Sequence, residues 1–219
     1  FDRFRADAHG DALLVTAGDA VGATPPISNL FGDMPTIEMM NALGFTADSL
    51  GNHNFDAGAG YMFGGLAPRA DFPYLSANLV LAGNDTATPN AADAPFLPSL
   101  LLDVDGVSVG LIGFSNPDIP LLTRPGALDP YRVVNPGPAV TAEAERLRGA
   151  GAAAIIAIGH MGATGGDLTA PTGPVVAVAN ELRDVDLVVA DHTDMQVSAV
   201  LPNRIMLVEN RSKGVYFTR

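Results

Sequence analysis

Residues 45–56 read Phe-Thr-Ala-Asp-Ser-Leu-Gly-Asn-His-Asn-Phe-Asp, a short, mainly apolar segment followed at once by polar side chains. We predict that Phe45–Leu50 forms a short strand, because it is compact and ends at a glycine. Gly51 permits a tight turn at the end of that strand. Asn52 and His53 therefore emerge where the strand ends.

Three other apolar segments end in the same way. Ala12–Ala17 is closed by Gly18-Asp19, Ala153–Ile158 by Gly159-His160, and Val185–Ala190 by Asp191-His192. Ligand sites of open α/β sheets form beyond the carboxyl ends of the strands. We therefore expect four side chains to converge there: Asp19, Asn52, His160 and His192.

The remaining segments predict an α/β protein with one mixed sheet or two packed sheets, in a single domain over residues 1–219. Helices are predicted at Thr36–Leu43, Ala139–Arg148 and Val175–Arg183, a strand at Pro73–Leu81 and an exposed loop at 82–98. Asp105-Gly106 predicts a hairpin between Leu100–Asp103 and Val107–Phe114. A second hairpin joins Val197–Leu201 to Ile205–Glu209, and Phe1–Ala8 and Val215–Phe217 are predicted as a helix end and a last strand.

Composition excludes several classes of protein. The net charge of −12 argues against a nucleic-acid polymer as partner, because phosphate backbones are bound by basic surfaces. The absence of cysteine excludes disulfides, thiolate metal sites and a cysteine nucleophile. No uninterrupted apolar stretch approaches the ~18 residues of a membrane span. Lysine is scarce while arginine, alanine and glycine are common, which suggests the genome of a GC-rich bacterium.

Each polar strand-end residue has a simpler interpretation when taken alone. Asp19 and Asn52 are of types that often serve in turns or helix caps, and His160 and His192 are of a type often found hydrogen-bonded at strand ends. Four such positions in one chain favour a common cause. Carboxylate, amide oxygen and imidazole together suit a divalent metal ion, without selecting among Mn, Zn and Fe.

These segments also resemble a known family. In order along the chain, Gly18-Asp19, the block 51–56, Gly159-His160 and Asp191-His192-Thr193-Asp194 resemble the signature blocks of the calcineurin-like metallophosphoesterases. The 5′-nucleotidase branch, whose second block reads GNHEFD, is the most similar, and Ser76–Leu79 and Glu209–Gly214 extend the resemblance. It implies an α/β/β/α sandwich of two mixed sheets flanked by helices.

The resemblance also implies roles. Asp19 would bridge two divalent ions (Mn, Zn, Fe, Mg or Ca), and Asn52, His160 and His192 would complete the shell of the second ion. Asp194 stands where the family has His or Gln as a ligand to the first. His53 would be the catalytic imidazole beside the phosphate, and Asp56 would orient it.

Two parts of the family pattern are expected to be missing. The family's first strand ends in Asp-x-His-Gly, and Asp7-Ala8-His9-Gly10 is not its equivalent. That segment enters the strand that leads to Asp19, so at ~3.3 Å per residue it lies on the order of 20 Å away, whereas metal ligands lie within ~2–2.5 Å of their ion. The nucleobase-binding C-terminal domain is also expected to be absent. The missing strand would expose a sheet edge and favour association.

The sequence thus predicts a hydrolase of small phosphate esters, most simply a 5′-nucleotidase with a two-metal mechanism. A cyclic-nucleotide phosphodiesterase or nucleotide-sugar hydrolase with the same metal centre stays open, as do a non-catalytic binding fragment and an α/β domain without metal. The resemblance also suggests a secreted or cell-surface bacterial protein.

Overall fold

The computed structural model describes residues 11–83, 94–212 and 218 of the chain. Its strands are β1 (Val15–Thr16), β2 (Ala47–Ser49), β3 (Tyr74–Leu75), β4 (Leu79–Leu81), β5 (Ser99–Val104), β6 (Val107–Phe114), β7 (Tyr131–Val133), β8 (Ala154–Gly159), β9 (Gly165–Gly166), β10 (Pro171–Thr172), β11 (Leu187–Ala190), β12 (Val197–Val200) and β13 (Met206–Glu209). Its α-helices are α1 (Pro26–Asn29), α2 (Met34–Leu43), α3 (Ala59–Tyr61), α4 (Ile119–Leu122), α5 (Pro136–Gly149) and α6 (Pro174–Glu181). Short 3₁₀ or π turns cover His53–Phe55, Met62–Leu66 and Ala67–Arg69.

The larger sheet has six strands in the order β12-β13-β11-β8-β6-β5. Its inner strands β13, β11, β8 and β6 run parallel, and the outer strands β12 and β5 are antiparallel to their neighbours. β8 reads Ala-Ile-Ile-Ala-Ile-Gly, the continuous apolar pattern of a strand that is covered on both faces. Apolar side chains of α5 and α6, including Leu147 and Val175, form one core cluster with this sheet.

The smaller sheet is parallel, in the order β1-β2-β3. A second cluster, formed by Ala47, Leu75, Leu111 and Ile158, joins it to the larger sheet. A third cluster of buried apolar side chains joins Ile37 and Met40 of α2 to Phe55, Met62 and Leu66. These layers confirm the predicted α/β class and sandwich, although the described strands of the smaller sheet are all parallel instead of mixed.

The hairpin at Asp105-Gly106 is confirmed. Both residues have positive φ, 51° and 79°, as a type I′ turn requires, and β5 pairs with β6 on either side. Most other predicted elements are present but shorter. β1 covers two residues of Ala12–Ala17, and α6 ends two residues before Arg183.

The prediction of one strand over Pro73–Leu81 is wrong. The segment divides into β3 in the smaller sheet and β4, which pairs with β7 instead. Asn78 causes the division: its buried side chain donates to the carbonyls of Ser115 and Val134 and accepts from the amide of Ser115. These bonds tie the backbone between β3 and β4 to other parts of the chain.

The predicted exposed loop 82–98 is wrong at its carboxyl end. Phe96 is buried, and Leu97 bridges to Leu75 at the edge of the smaller sheet. Residues 84–93, and the elements predicted at Phe1–Ala8 and Val215–Phe217, lie outside the described residues. None of the helices in the described part of the chain has the length and apolar character that a bilayer crossing needs.

Candidate metal centre

The turn after β1 fixes the carboxylate of Asp19. Gly18 has φ +97°, and a Cβ there would lie 2.8 Å from the amide nitrogen of Gly51, so only glycine fits. The Gly18 amide donates to Asp48 Oδ1 at 2.9 Å, and the Asp19 amide donates to Asn54 Oδ1 at 3.1 Å. Asp19 itself has φ 59°, which is uncommon for a residue with a side chain. These bonds hold that conformation in place.

Asp19 connects the two loops that carry the other predicted histidines. Its Oδ1 accepts from the backbone amide of His53 at 2.8 Å, and its Oδ2 lies 2.6 Å from Nε2 of His160. Because the Ala17 carbonyl 3.1 Å from His160 Nδ1 can only accept, Nδ1 carries a proton. A neutral His160 would therefore direct a bare Nε2 at a carboxylate, and a proton or a cation between the two atoms resolves this conflict.

Electrostatics around His160 favour positive charge at that point. Burial lowers its pKa, but the hydrogen bond to Asp19 and the attraction of Asp19 and Asp191 outweigh burial, so the pKa is raised overall. A divalent cation would take the place of the proton, since a metal binds the deprotonated imidazole.

His192 completes a compact group of ligand atoms. Its ring packs edge-on against His160 with centroids 4.9 Å apart, and ligand atoms of Asp19, His160 and His192 all lie within 4.8 Å of one another. Burial, together with the charge of His160, lowers the pKa of His192, which keeps its imidazole neutral and able to bind a metal. Its φ of 97° is far from the usual range for a residue with a side chain.

Asn52 provides an independent test of the metal hypothesis. Its side chain is buried, and Oδ1 has no hydrogen-bond partner among the described residues. A buried amide oxygen without a partner costs on the order of 1–3 kcal/mol, so it calls for a ligand. A carboxylate, two imidazoles and this oxygen form a donor set suited to Mn, Fe or Zn, and the residues present therefore fit a divalent ion.

Asp194 differs from the other predicted ligands. It is exposed and does not belong to the compact group formed by Asp19, His160 and His192. Its backbone has φ 56°. The described structure thus brings together three of the predicted ligands and does not include Asp194 in that group.

His53 and Asp56 form the predicted pair. Nδ1 of His53 lies 2.8 Å from Oδ2 of Asp56, and their side chains are 39% and 43% exposed. The 3₁₀ turn His53–Phe55 places them three residues apart on one side of the backbone. This contact occupies Nδ1 and leaves Nε2 as the ring nitrogen for a bound molecule.

Three buried polar residues of the site were not among the predicted site residues. Asn54 Oδ1 accepts from the amides of both Gly51 and Asp19, and Asp48 accepts from Gly18. Glu209, at the end of β13, binds the loops that follow His160 and His192. Asn54 lies within the block 51–56 and Glu209 begins the segment Glu209–Gly214, which both resemble the family, whereas Asp48 has no sequence signal of its own.

No model of a known protein family matches this chain. It is 29% identical over 236 residues to the cell wall protein Lmo0130 of Listeria monocytogenes, which covers 95% of this chain and 29% of the relative. It is 31% identical over 186 residues to the snake venom 5′-nucleotidase of Gloydius brevicauda, which covers 85% of this chain and 29% of that enzyme. The chain is a homologue of the 5′-nucleotidases.

The fold agrees with this relationship. The crystal structure of the calcineurin-like phosphoesterase YfkN from Bacillus subtilis superimposes with a TM-score of 0.73 at 23% identity, covering 96% of this chain and 70% of that one. The 5′-nucleotidase homologues are much longer proteins, of which this chain spans less than a third. The comparison therefore concerns this chain's domain and not the whole of those proteins.

Proposed function

We propose that residues 1–219 form the catalytic domain of a metal-dependent phosphoester hydrolase that removes phosphate from nucleoside monophosphates. The observation that carries this proposal is the convergence of Asp19, His160 and His192. The buried, unpartnered amide oxygen of Asn52 supports it, since the residues on either side of Asn52, Gly51 and His53, both lie against Asp19. Homology to 5′-nucleotidases supports the choice of reaction.

Each residue has a distinct role in this proposal. Asp19 would contact two divalent ions, since its two oxygens face different parts of the site. Asn52, His160 and His192 would hold one of them. Asp194 would contact the other. Such ions, when bound, supply charge neutralisation for the phosphoryl oxygens and activation of a water molecule.

His53 would act on the substrate directly. With Nδ1 held by Asp56, the protonated form of His53 can donate a hydrogen bond or proton from Nε2 to a phosphate oxygen or to the leaving oxygen. Asp56 would fix the tautomer and the ring orientation of His53. The rate would then depend on both side chains, while metal binding would depend on neither.

Hydrolysis of AMP and of p-nitrophenyl phosphate, with and without added Mn²⁺, tests the proposal. We expect Mn²⁺-dependent turnover that falls by about 10²–10⁴-fold in His53→Ala, the usual contribution of general acid–base catalysis. Asp19→Ala should lose both turnover and Mn²⁺ binding. Asp71→Ala is a matched control, because this exposed carboxylate precedes β3 at the end of the smaller sheet away from the site. Equal turnover in wild type and His53→Ala would refute the assignment.

One observation favours a second candidate, a metal-binding domain without turnover. The exposed position of Asp194, away from the compact ligand group, leaves the other ion with few described ligands. Mn²⁺ binding without hydrolysis of any phosphate ester would support it.

A substrate panel with cyclic AMP, a nucleotide sugar and single-stranded DNA separates the related hydrolases, and the net charge predicts no cleavage of DNA.

The relatives also suggest where the protein acts. One is named as a cell wall protein and another comes from snake venom. We therefore propose an extracellular location, secreted or at the cell surface. Fractionation of the producing cell with an antibody to this domain would test it, and recovery in the cytosol alone would contradict it.

A further inference from the structure

Glu209 connects the two loops that carry the candidate histidine ligands. It is the last residue of β13 and is 1% exposed. Its Oε2 accepts from the amide of Ala163 at 2.8 Å, three residues after His160. Its Oε1 accepts from the amide of Thr193 at 3.3 Å, immediately after His192. A single side chain thus spans both loops.

The hydroxyl of Thr193 strengthens the same connection. Its Oγ1 lies 2.5 Å from the carbonyl oxygen of Ala163 and 2.6 Å from Glu209 Oε1. A hydroxyl has one proton, and a carbonyl has none to donate. The Thr193 hydroxyl therefore faces two acceptors, the Ala163 carbonyl and Glu209, and lies between the two loops.

The surroundings of Glu209 are buried and crowded. Burial raises its pKa, and the repulsion of Asp191 adds to that effect, against the hydrogen bonds from Ala163 and Thr193 that lower it. The space is also tightly filled: a Cβ at Gly162 would collide with Thr193 Oγ1 and Glu209 Oε1. The backbone of His192, with φ 97°, needs such external support to persist.

We propose that Glu209 is a positioning residue of the metal site, a buried clamp that sets the distance between the loops of His160 and His192. This inference rests on the proposed function, because it assigns those histidines to one ion. Side chains that orient metal ligands contribute about 10–100-fold to metal affinity. The clamp should therefore affect binding of the ion more than stability of the fold.

The test compares four variants by Mn²⁺ titration calorimetry and thermal melting. Glu209→Gln keeps an oxygen that accepts from Ala163, but its amide group cannot accept from the Thr193 amide; we expect its Kd to lie between those of wild type and Glu209→Ala. Glu209→Ala should weaken Mn²⁺ binding by about 10–100-fold. Gly162→Ala separates the loops sterically and should weaken binding in the same direction, which covers the case of a poorly folding Glu209→Ala.

Glu143→Ala is the matched control. Glu143 is also a buried carboxyl, but it lies on α5 and bonds to Ser99 and Arg146. Its loss should lower the melting temperature and leave the Kd for Mn²⁺ unchanged. The proposal is overturned if Glu209→Ala binds Mn²⁺ like wild type, or if Glu143→Ala weakens binding equally.

Hydrogen exchange separates this inference from the proposed function. Without metal, Glu209→Ala should speed exchange in residues 160–164 and 191–195 and leave α5 unchanged. If the wild type does not bind Mn²⁺ but this pattern appears, the proposed function fails and the clamp stands. If exchange in both loops is unchanged, the clamp is wrong whatever the metal result.

Discussion

Replacing Asn54 with alanine tests how the structure holds Asp19 in its unusual conformation. Asn54 is buried, and its Oδ1 accepts from two backbone amides, Gly51 at 2.8 Å and Asp19 at 3.1 Å. Each buried donor left without a partner costs ~1–3 kcal/mol. The Asp19 amide is partly buried, so a hydrogen bond to water can offset part of its cost. We therefore expect Asn54→Ala to lower the free energy of unfolding by ~2–4 kcal/mol.

Thermal melting converts this loss into an observable shift. For a domain of 150–250 residues, 1 kcal/mol corresponds to about 2–4 °C, so Asn54→Ala should lower the melting temperature by about 4–16 °C. Asn54→Asp keeps an oxygen in the accepting position and should lose less than half as much. Asn180→Ala is the control, because its side chain makes a single exposed bond to the Val176 carbonyl. A melting temperature for Asn54→Ala within about 2 °C of wild type would refute the reasoning.

Three further predictions follow from the same part of the structure. Burial raises the pKa of Asp48 well above its usual value, so the contribution of Asp48 to stability is fully present below about pH 4 and is lost as the pH rises toward the raised pKa. Thermal melts across this pH range should show a decline in stability that is flatter in Asp48→Asn than in wild type. The same decline in both proteins would contradict this prediction. Because the pKa of His160 is raised, Mn²⁺ should displace a proton from His160 and bind more weakly as the pH falls. Calorimetry in two buffers of different ionisation enthalpy measures the released proton. An equal heat of binding in the two buffers would contradict this prediction. Gly18→Ala should lower the free energy of unfolding by ~1–3 kcal/mol, because alanine is strained at φ +97°. Gly149→Ala, on the open surface of α5, should raise it by ~0.4–1 kcal/mol. Denaturant titration compares the two variants, and equal unfolding midpoints would contradict the prediction.

The sequence was most informative about the ends of the strands. The apolar segments before Asp19, His160 and His192 are local patterns. β8 and β11 are parallel neighbours, so His160 and His192 meet at their carboxyl ends, whereas Asp19 follows β1 and reaches them through the packing of the two sheets. The structure accordingly brings these three side chains within reach of one ion. The catalytic and metal-binding roles, and association through a sheet edge, stay predictions.

Other features depend on distant contacts and have no local signal. The segment Ala59–Arg69 contains three glycines and lacks a helical pattern, yet it is helical because Met62 and Leu66 pack into the core. Pro73–Leu81 has strand character throughout, but contacts of Asn78 with residues 37 and 56 positions away divide it. Glu209 begins a segment that resembles the family, but its bonds to loops 46 and 16 residues away have no signal in that segment.

Anomalous diffraction from crystals of the chain grown with Mn²⁺ tests the central claim most directly. We expect a strong peak within ~2–2.5 Å of ligand atoms of Asp19, Asn52, His160 and His192, which would unite the buried amide oxygen with the compact ligand group. Crystals saturated with Mn²⁺ that show no peak at these side chains, or a peak only elsewhere on the surface, would contradict the metal centre and the function proposed from it.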